Sequence, residues 1–484
     1  MTLKLKGGVA RANISPPVRI EHTNWGAQTH QLAHGIDMDL TATAVVLAES
    51  KKKIVFIAID LVYVDDELFE EIAKKINHLT GIGKNRICIS ASHTHSGPAI
   101  YSNRSWAEEG AETAREYRKI LPEKIAGAVW EAYNNMVPVR VGIGFGECAI
   151  NVNRRFNVPE NAKKSNGQIW KGNRNVVGRN WGGATDREVG VIRIDDKDEN
   201  PLAILVNYAA HGTSVAFQHK KITPDYPGPM RKIVEEITGA TCLFFQGAAG
   251  NQGTIRDFAS DLNVYHILGT ILGCEVAKVA LTIDTLSKEE KFKYVLESGA
   301  DLAIYDEANK EEPDNSLDII NTVVKLPVKK VNESDKAGLE KRIMELKSGL
   351  KAKREHGSEE EVRNIVMTIK REMKILNRIK LLSGRDLLEV NIQGIRIGNI
   401  VFIIAPFEMF AEIGKKIKRN SPFKNTIIIG YANGTKGYLP TSAAYSKGGY
   451  EVGTCYFRSG ADIVFQNACQ EILQELNERI NNKC

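Results

Sequence analysis

The stretch RICISASHTHSGP, residues 86–98, ends an apolar run in two histidines one residue apart, His93 and His95, followed by a Gly-Pro turn. The 484-residue chain has only ten histidines, so the pairing asks for a chemical reason. Imidazole is the commonest metal ligand and the usual proton shuttle near neutral pH. On an extended backbone, positions i and i+2 project to the same side, which predicts a shared partner for both rings. Two surface histidines in a loop is the plainer reading of the same spacing. Two further residues stand where chemistry is expected. His211, in NYAAHGTSV, ends an apolar run, and a buried structural histidine or a metal ligand would fit there equally. Glu408, in IIAPFEMF, follows a mostly apolar stretch; a buried acid at such a place must be paired, protonated or bound to a cation. Its alternative role is to favour the dipole of a following helix. Zinc hydrolases hold their ion with three or four N and O donors and leave room for water, and these residues are of the right types.

Something must bring such dispersed residues together. The runs KIVFIAID (53–60), RICIS (86–90), PLAILVNYAA (201–210), CLFFQG (242–247) and IVFIIAP (400–406) read as strands buried on both faces. Helix-like segments at 66–78, 112–133, 229–238, 262–284 and 464–480 lie between and after them. This alternation predicts an α/β core. His93, His211, the glycine-rich GAAGNQG and Glu408 each follow an apolar run, the usual position for residues that rigid strands aim into one cleft. A single shared pocket is therefore expected.

Residues 335–382 differ in character. Leu339, Ile343, Leu346 and Leu350, then Val362, Ile365, Ile369 and Met373, recur as apolar helical stripes. Between them Gly357 is a stop signal, and Ser358 with Glu361 forms a capping box. The expectation is a charged helical hairpin, 335–382, inserted into a domain made of 1–334 and 383–484. It would serve as a support arm packed on itself, as an arm forming a homo-oligomer, or as a lid over the site.

Composition sets the outer limits. Hydrophobic content of 43% and charged content of 26% are ordinary for a globular protein. The net charge of +6 sits wholly in residues 336–382, with 13 Lys and Arg against 7 Glu, while the rest balances at 52 against 52. No nucleic-acid motif accompanies that surplus. Seven scattered cysteines without a C-x-x-C pair suit reduced thiols. The start of the chain lacks the apolar stretch of a secretory leader, and no uninterrupted run of ~18 apolar residues suggests a transmembrane segment. A cytoplasmic protein is expected.

The motifs GVARANISPP, SASHTHSGPA, NYAAHGTS, FFQGAAGN, APFEMF and GYANGTKGYLPT with GGYEVG occur in this order. The ordered set resembles the signatures of the neutral/alkaline, non-lysosomal ceramidase family, over roughly residues 7–283 and 385–457. The resemblance implies a zinc-dependent amide hydrolase, one Zn²⁺ per chain, built on two central mixed β-sheets enclosed by helices. It assigns His93, His211, Glu408 and Tyr438 to the metal, with His95 as acid and base beside it. It makes Tyr450 the donor to the oxyanion and Arg154 the anchor of a polar substrate group. Packed tyrosines and a structural ion pair are the alternatives for the last three tyrosine and arginine positions. One departure stands out: where ceramidases carry a serine, then a proline, this chain has Gly253 and Thr254. Asn251 and Thr254 then become candidate substrate donors, although GAAGNQG also fits a tight turn that needs glycine. A metal-activated water does not require the serine. The chain ends soon after the last motif, which predicts no C-terminal sandwich domain, and it shows no apolar surface helix for reaching a bilayer lipid. The expected substrate is thus a small, soluble N-acyl amide. Ester or lactone hydrolysis by the same centre, a (β/α)₈ metal-dependent amidohydrolase and a non-catalytic binding protein are the rival readings.

Overall fold

A computed structural model describes residues 3–28, 30–100, 109–172, 174–286, 288–309 and 313–481. Eight strands form the larger sheet: β1 (Leu5–Asn13), β2 (Thr41–Glu49), β3 (Lys52–Ile59), β4 (Ile87–Ala91), β5 (Val137–Glu147), β6 (Glu188–Asp196), β7 (Pro201–Tyr208) and β8 (Thr241–Gln246). Their spatial order is β8-β7-β6-β5-β1-β2-β3-β4. The smaller sheet holds β9 (Leu317–Pro327), β10 (Leu387–Ile397), β11 (Ile400–Ile404) and β12 (Asn425–Ile429), in that order. Most neighbours are antiparallel, but β3/β4, β7/β8 and β11/β12 run parallel. Strands such as β4 and β11 are buried along their whole length, which is why they read as continuous apolar runs rather than alternating ones.

The sheets face each other. Phe56 of β3 packs between Phe402 of β11, at 5.0 Å, and Phe245 of β8, at 6.0 Å between ring centroids. Helices α1 (Asp66–Thr80), α2 (Ala111–Asn134), α3 (Pro227–Thr238) and α4 (Asn263–Leu281) bury the outer face of the larger sheet. Next come the hairpin helices α5 (Asp335–His356) and α6 (Glu359–Leu382), then α7 (Ala411–Arg419), the short α8 (Tyr450–Thr454) and α9 (Ala461–Asn481). Of these, α7 and α9 close the outer face of the smaller sheet. The architecture is therefore two mixed sheets enclosed by helices, and it replaces the (β/α)₈ alternative. By length and composition α4 is apolar enough to cross a membrane. Half of it is buried, and its Leu268, Leu272 and Val276 pack with Met230 of α3 and Val206 of β7, as a core helix does.

The hairpin fills the connection between two neighbouring strands. β9 and β10 pair antiparallel from Leu317↔Ile397 to Pro327↔Leu387, so α5 and α6 leave and re-enter the sheet at adjacent points. The predicted capping box at Ser358 and Glu361 is formed. Leu346 and Leu350 pack with Val362, Ile365, Val366, Ile369 and Met373. Arg342–Glu372 and Lys380–Glu340 ion pairs, both at 3.0 Å, tie the two helices together.

Candidate metal centre

All three parallel pairs send strand ends to one place. β4 ends at Ala91, and His93 then adopts φ of +63°, an uncommon left-handed conformation for a residue with a side chain. It is held there by its backbone N–H on the Leu61 carbonyl at 3.0 Å and by Nδ1 on the Val62 carbonyl. The extended i, i+2 geometry expected of the pair is thus broken at His93. The two rings still meet, centroids 4.9 Å apart and planes at 89°. His95 is steered into the site by its backbone bond to the Gly212 carbonyl, 3.1 Å, and by packing on Trp25.

His211 follows β7 and donates Nδ1–H to the Ala249 carbonyl at 2.7 Å, in the turn after β8. Glu408 lies in a two-residue strand paired in parallel with Tyr438–Leu439, and its direct backbone partner is Tyr438. α7 begins only at Ala411, with Glu412 in its first turn, so Glu408 does not serve the helix dipole. A side chain at Gly250 would place Cβ 2.3 Å from the Glu408 carbonyl oxygen; the glycine-rich turn lets this backbone approach.

With both Nδ1 atoms fixed, the Nε2 atoms of His93 and His211 lie 3.4 and 3.2 Å from Glu408 Oε2. Tyr438 Oη is 3.5 Å from His211 Nε2. Ligands 2.0–2.1 Å from a tetrahedral zinc stand about 3.3 Å from one another, so these separations match the edges of such a site. His93 Nε2, Glu408 Oε2 and both ring nitrogens of His95 are buried without a hydrogen-bond partner, whereas buried polar atoms are ordinarily partnered. The ligand atoms of His93, His95 and His211 all lie within 4.8 Å of one another. These residues fit a divalent ion with N and O ligands.

The electrostatics agree. Burial pushes His211 down to about 3, helped by the Arg154 charge, and His95 well below its ordinary value, leaving the neutral imidazoles that ligation and proton acceptance need. Burial raises the Tyr438 phenol, against the opposing charge of Arg154.

A cavity of about 460 Å³ opens onto these donors and is bordered by His93, His95, Glu408, Tyr438, Arg154 and Tyr450. Arg154 is also a structural ion pair: Nε binds Glu451 and Nη2 binds Tyr438 Oη, both at 2.9 Å. Glu451 holds Arg155 as well, at 2.8 Å. The expectation that Asn251 and Thr254 contact substrate is corrected by their positions, since neither borders the cavity. Asn251 Oδ1 accepts from the Ala411 N–H that opens α7, and Nδ2 donates to Glu412. Thr254 Oγ1 donates to Asp257 at 2.7 Å.

Several site residues escaped the sequence reading. Tyr431 packs against the His93 ring, centroids 4.4 Å apart and planes tilted by 46°, and its buried hydroxyl has no partner; its left-handed φ of 53° leaves no trace in the sequence. Trp25 sits in a loop with no periodic pattern. Glu451, an acid in GGYEVG beside Tyr450, offered a weak signal. Lys370 and Lys374 of α6 also border the cavity, beside Met373 at the end of the stripe that predicted their helix.

The family model described as "Neutral/alkaline non-lysosomal ceramidase, N-terminal" matches residues 6–251, just over half of the 484. The chain belongs to the neutral/alkaline ceramidase family. It is 24% identical over 254 residues to a neutral ceramidase of Oryza sativa subsp. japonica, covering 51% of this chain and 31% of the relative. It is 25% identical over 210 residues to neutral ceramidase A of Dictyostelium discoideum, 42% and 28% of the two chains. The matched parts thus span about a third of these relatives' length. The crystal structure of the neutral ceramidase from Pseudomonas aeruginosa superposes with a TM-score of 0.66 over 99% of this chain and 75% of that one, at 16% identity. The shared fold therefore reaches well past the ceramidase segment matched by sequence.

Little space is left at Gly253, where the resemblance implies a serine. A Cβ at Gly253 would lie 2.1 Å from Asp257 Oδ2 and 3.4 Å from Arg154 Cβ. Asp257 cannot easily swing aside, because Oδ1 accepts from Thr213 Oγ1, the Thr254 N–H and Thr254 Oγ1.

Proposed function

We propose that this protein is a zinc-dependent hydrolase that cleaves the amide bond of a small N-acyl substrate, with the ion held by His93, His211, Glu408 and Tyr438. The observation that carries this reading is the set of tetrahedron-edge separations among buried donor atoms, two of them otherwise unpartnered. When bound, zinc lowers the pKa of water to near 7 and polarises a carbonyl. The protein's own groups do the rest. The Val62 and Ala249 carbonyls fix the tautomer and ring direction of His93 and His211. His95, with both nitrogens buried and unpartnered beside the donors, takes the proton of the attacking water and returns it to the departing amine. Tyr450 donates to the oxyanion of the tetrahedral intermediate. Arg154 holds Tyr438 in place through Nη2, and its border with the cavity serves the polar end of the substrate. No serine nucleophile takes part.

The test is metal content and turnover of His93→Ala and Glu408→Ala. Both variants should lose stoichiometric zinc by plasma mass spectrometry and lose hydrolysis of N-acyl amides. Retention of zinc and turnover by either would remove the assignment.

A further inference from the structure

We propose that the substrate's amine half carries an anionic group and that Lys374 of α6 recognises it; this deepens the hydrolase reading and rests on it. The argument starts from the charges around the cavity. Its border includes three cations, Arg154, Lys370 and Lys374, and two acids, Glu21 and Glu408. Glu408 faces His93 and His211, and Arg154 is engaged by Glu451 and Tyr438. Lys370 Nζ donates to the Thr23 and Trp25 carbonyls, fastening α6 to the loop that carries Trp25. Lys374 is different. Its Nζ donates to Tyr450 Oη at 2.7 Å and stands 4.7 Å from that ring's centre. Among the described residues no carboxylate lies within 4.0 Å of it. An ammonium placed at a cavity border with a hydroxyl as its partner keeps two further N–H donors for an anion.

The cavity offers two unlike environments, and each reaches the metal donors through a different residue. Trp25 packs edge-on against Phe217 and Phe258, with centroids 6.4 and 5.7 Å away, and contacts His95 at 4.9 Å. This aromatic cluster suits an acyl chain. Lys374 instead leads through Tyr450 to Tyr438, 5.8 Å between ring centroids, and so to His211. An amide carbonyl at the metal donors, its acyl chain on Trp25 and its amine half toward Tyr450, presents an anionic substituent of that half to Lys374. The substrate class is an N-acyl compound with a carboxylate or similar anion on the amine side.

The experiment compares N-octanoylglycine with N-octanoylethanolamine, alike in acyl chain but anionic and neutral, on the zinc-loaded full chain. The wild type should favour the anionic compound in kcat/KM. Lys374→Met, at an exposed position that the fold tolerates, should lower the anionic-over-neutral ratio about tenfold, as expected for loss of one charge-assisted hydrogen bond. Lys374→Arg should restore most of the ratio. A ratio unchanged by Lys374→Met, or a wild type that prefers the neutral amide, overturns the proposal. Were neither compound hydrolysed by zinc-bound protein, the hydrolase reading would fall, and calorimetric binding of the same two compounds would decide. Tighter binding of the anionic one, lost in Lys374→Met, sustains the anion site; equal binding of both removes it.

Discussion

Gly253 and Asp257 bear on the proposed absence of a serine nucleophile. Replacing Gly253 by serine pushes Cβ against a carboxylate anchored by three donors, and overpacking of this kind costs about 1–3 kcal/mol. The Gly253→Ser protein should melt at a lower temperature and gain no activity; higher turnover at an unchanged melting temperature would mean that the serine finds room. His95 separates ligand from base: His95→Gln should keep its zinc while turnover falls about 10²–10⁴-fold, the usual share of a general base. In the loop that borders the cavity, burial holds His22 near 3 against an ordinary 6.5. Between those values the unfolded chain binds the proton and the folded chain does not. His22 therefore favours folding fully above pH 6.5, and that contribution declines as pH falls toward 3, by up to about 1.4 kcal/mol per pH unit. Urea midpoints measured from pH 7 to 4 should fall less steeply in His22→Gln than in the wild type. At this scale the sequence shows residue type and neighbourhood well, and His93, His211, Glu408 and Tyr438 do converge. It hides backbone conformation, so the left-handed turns at His93 and Tyr431 and the contact of Asp257 with Gly253 were not legible.

The hairpin α5–α6 was the most legible element, because its stripe, its glycine stop and its capping box are all local signals. Its placement was not legible, since the apolar stripe reports only the face on which the helices meet each other. Lys370 and Lys374, on the flank of that stripe, border the cavity together with Met373, and polar residues at helical spacing look the same whether they face water or a substrate. Because β9 and β10 pair along their full length without help from the hairpin, joining them by a short turn in place of residues 335–382 should leave the sheet and zinc stoichiometry intact. KM should rise at least about tenfold, as for the loss of one or more polar contacts and an apolar wall. Unchanged kinetics in that variant would reduce the hairpin to a support. α8 is tied down differently, by Glu451 between two buried arginines. Glu451→Ala leaves both charges unpaired and should cost about 3–5 kcal/mol, read as a lower denaturation midpoint.

At the level of the whole molecule, the proposed ion joins the two sheets. His93 and His211 belong to the larger one, and Glu408 follows β11 of the smaller one. A ligand that binds only the folded state adds about 4 kcal/mol at a thousandfold excess over its dissociation constant. Chelation should therefore lower the melting temperature of the wild type and leave that of Glu408→Ala unmoved. The α/β class was readable from alternating runs, but the order of strands was not, since contacts such as β1 with β5 join segments more than a hundred residues apart and leave no local signal. One feature of the layout reaches beyond this chain. The hairpin leaves and rejoins the smaller sheet at the facing residues Pro327 and Leu387, while every proposed metal donor lies elsewhere in the sequence. The part proposed to meet the substrate's head is thus continuous in the sequence, and it touches the proposed reaction centre through Lys370 on the Trp25 loop and Lys374 on Tyr450. A designer who redirects specificity by transplanting these 48 or so residues between two fixed strand ends must therefore keep those two contacts.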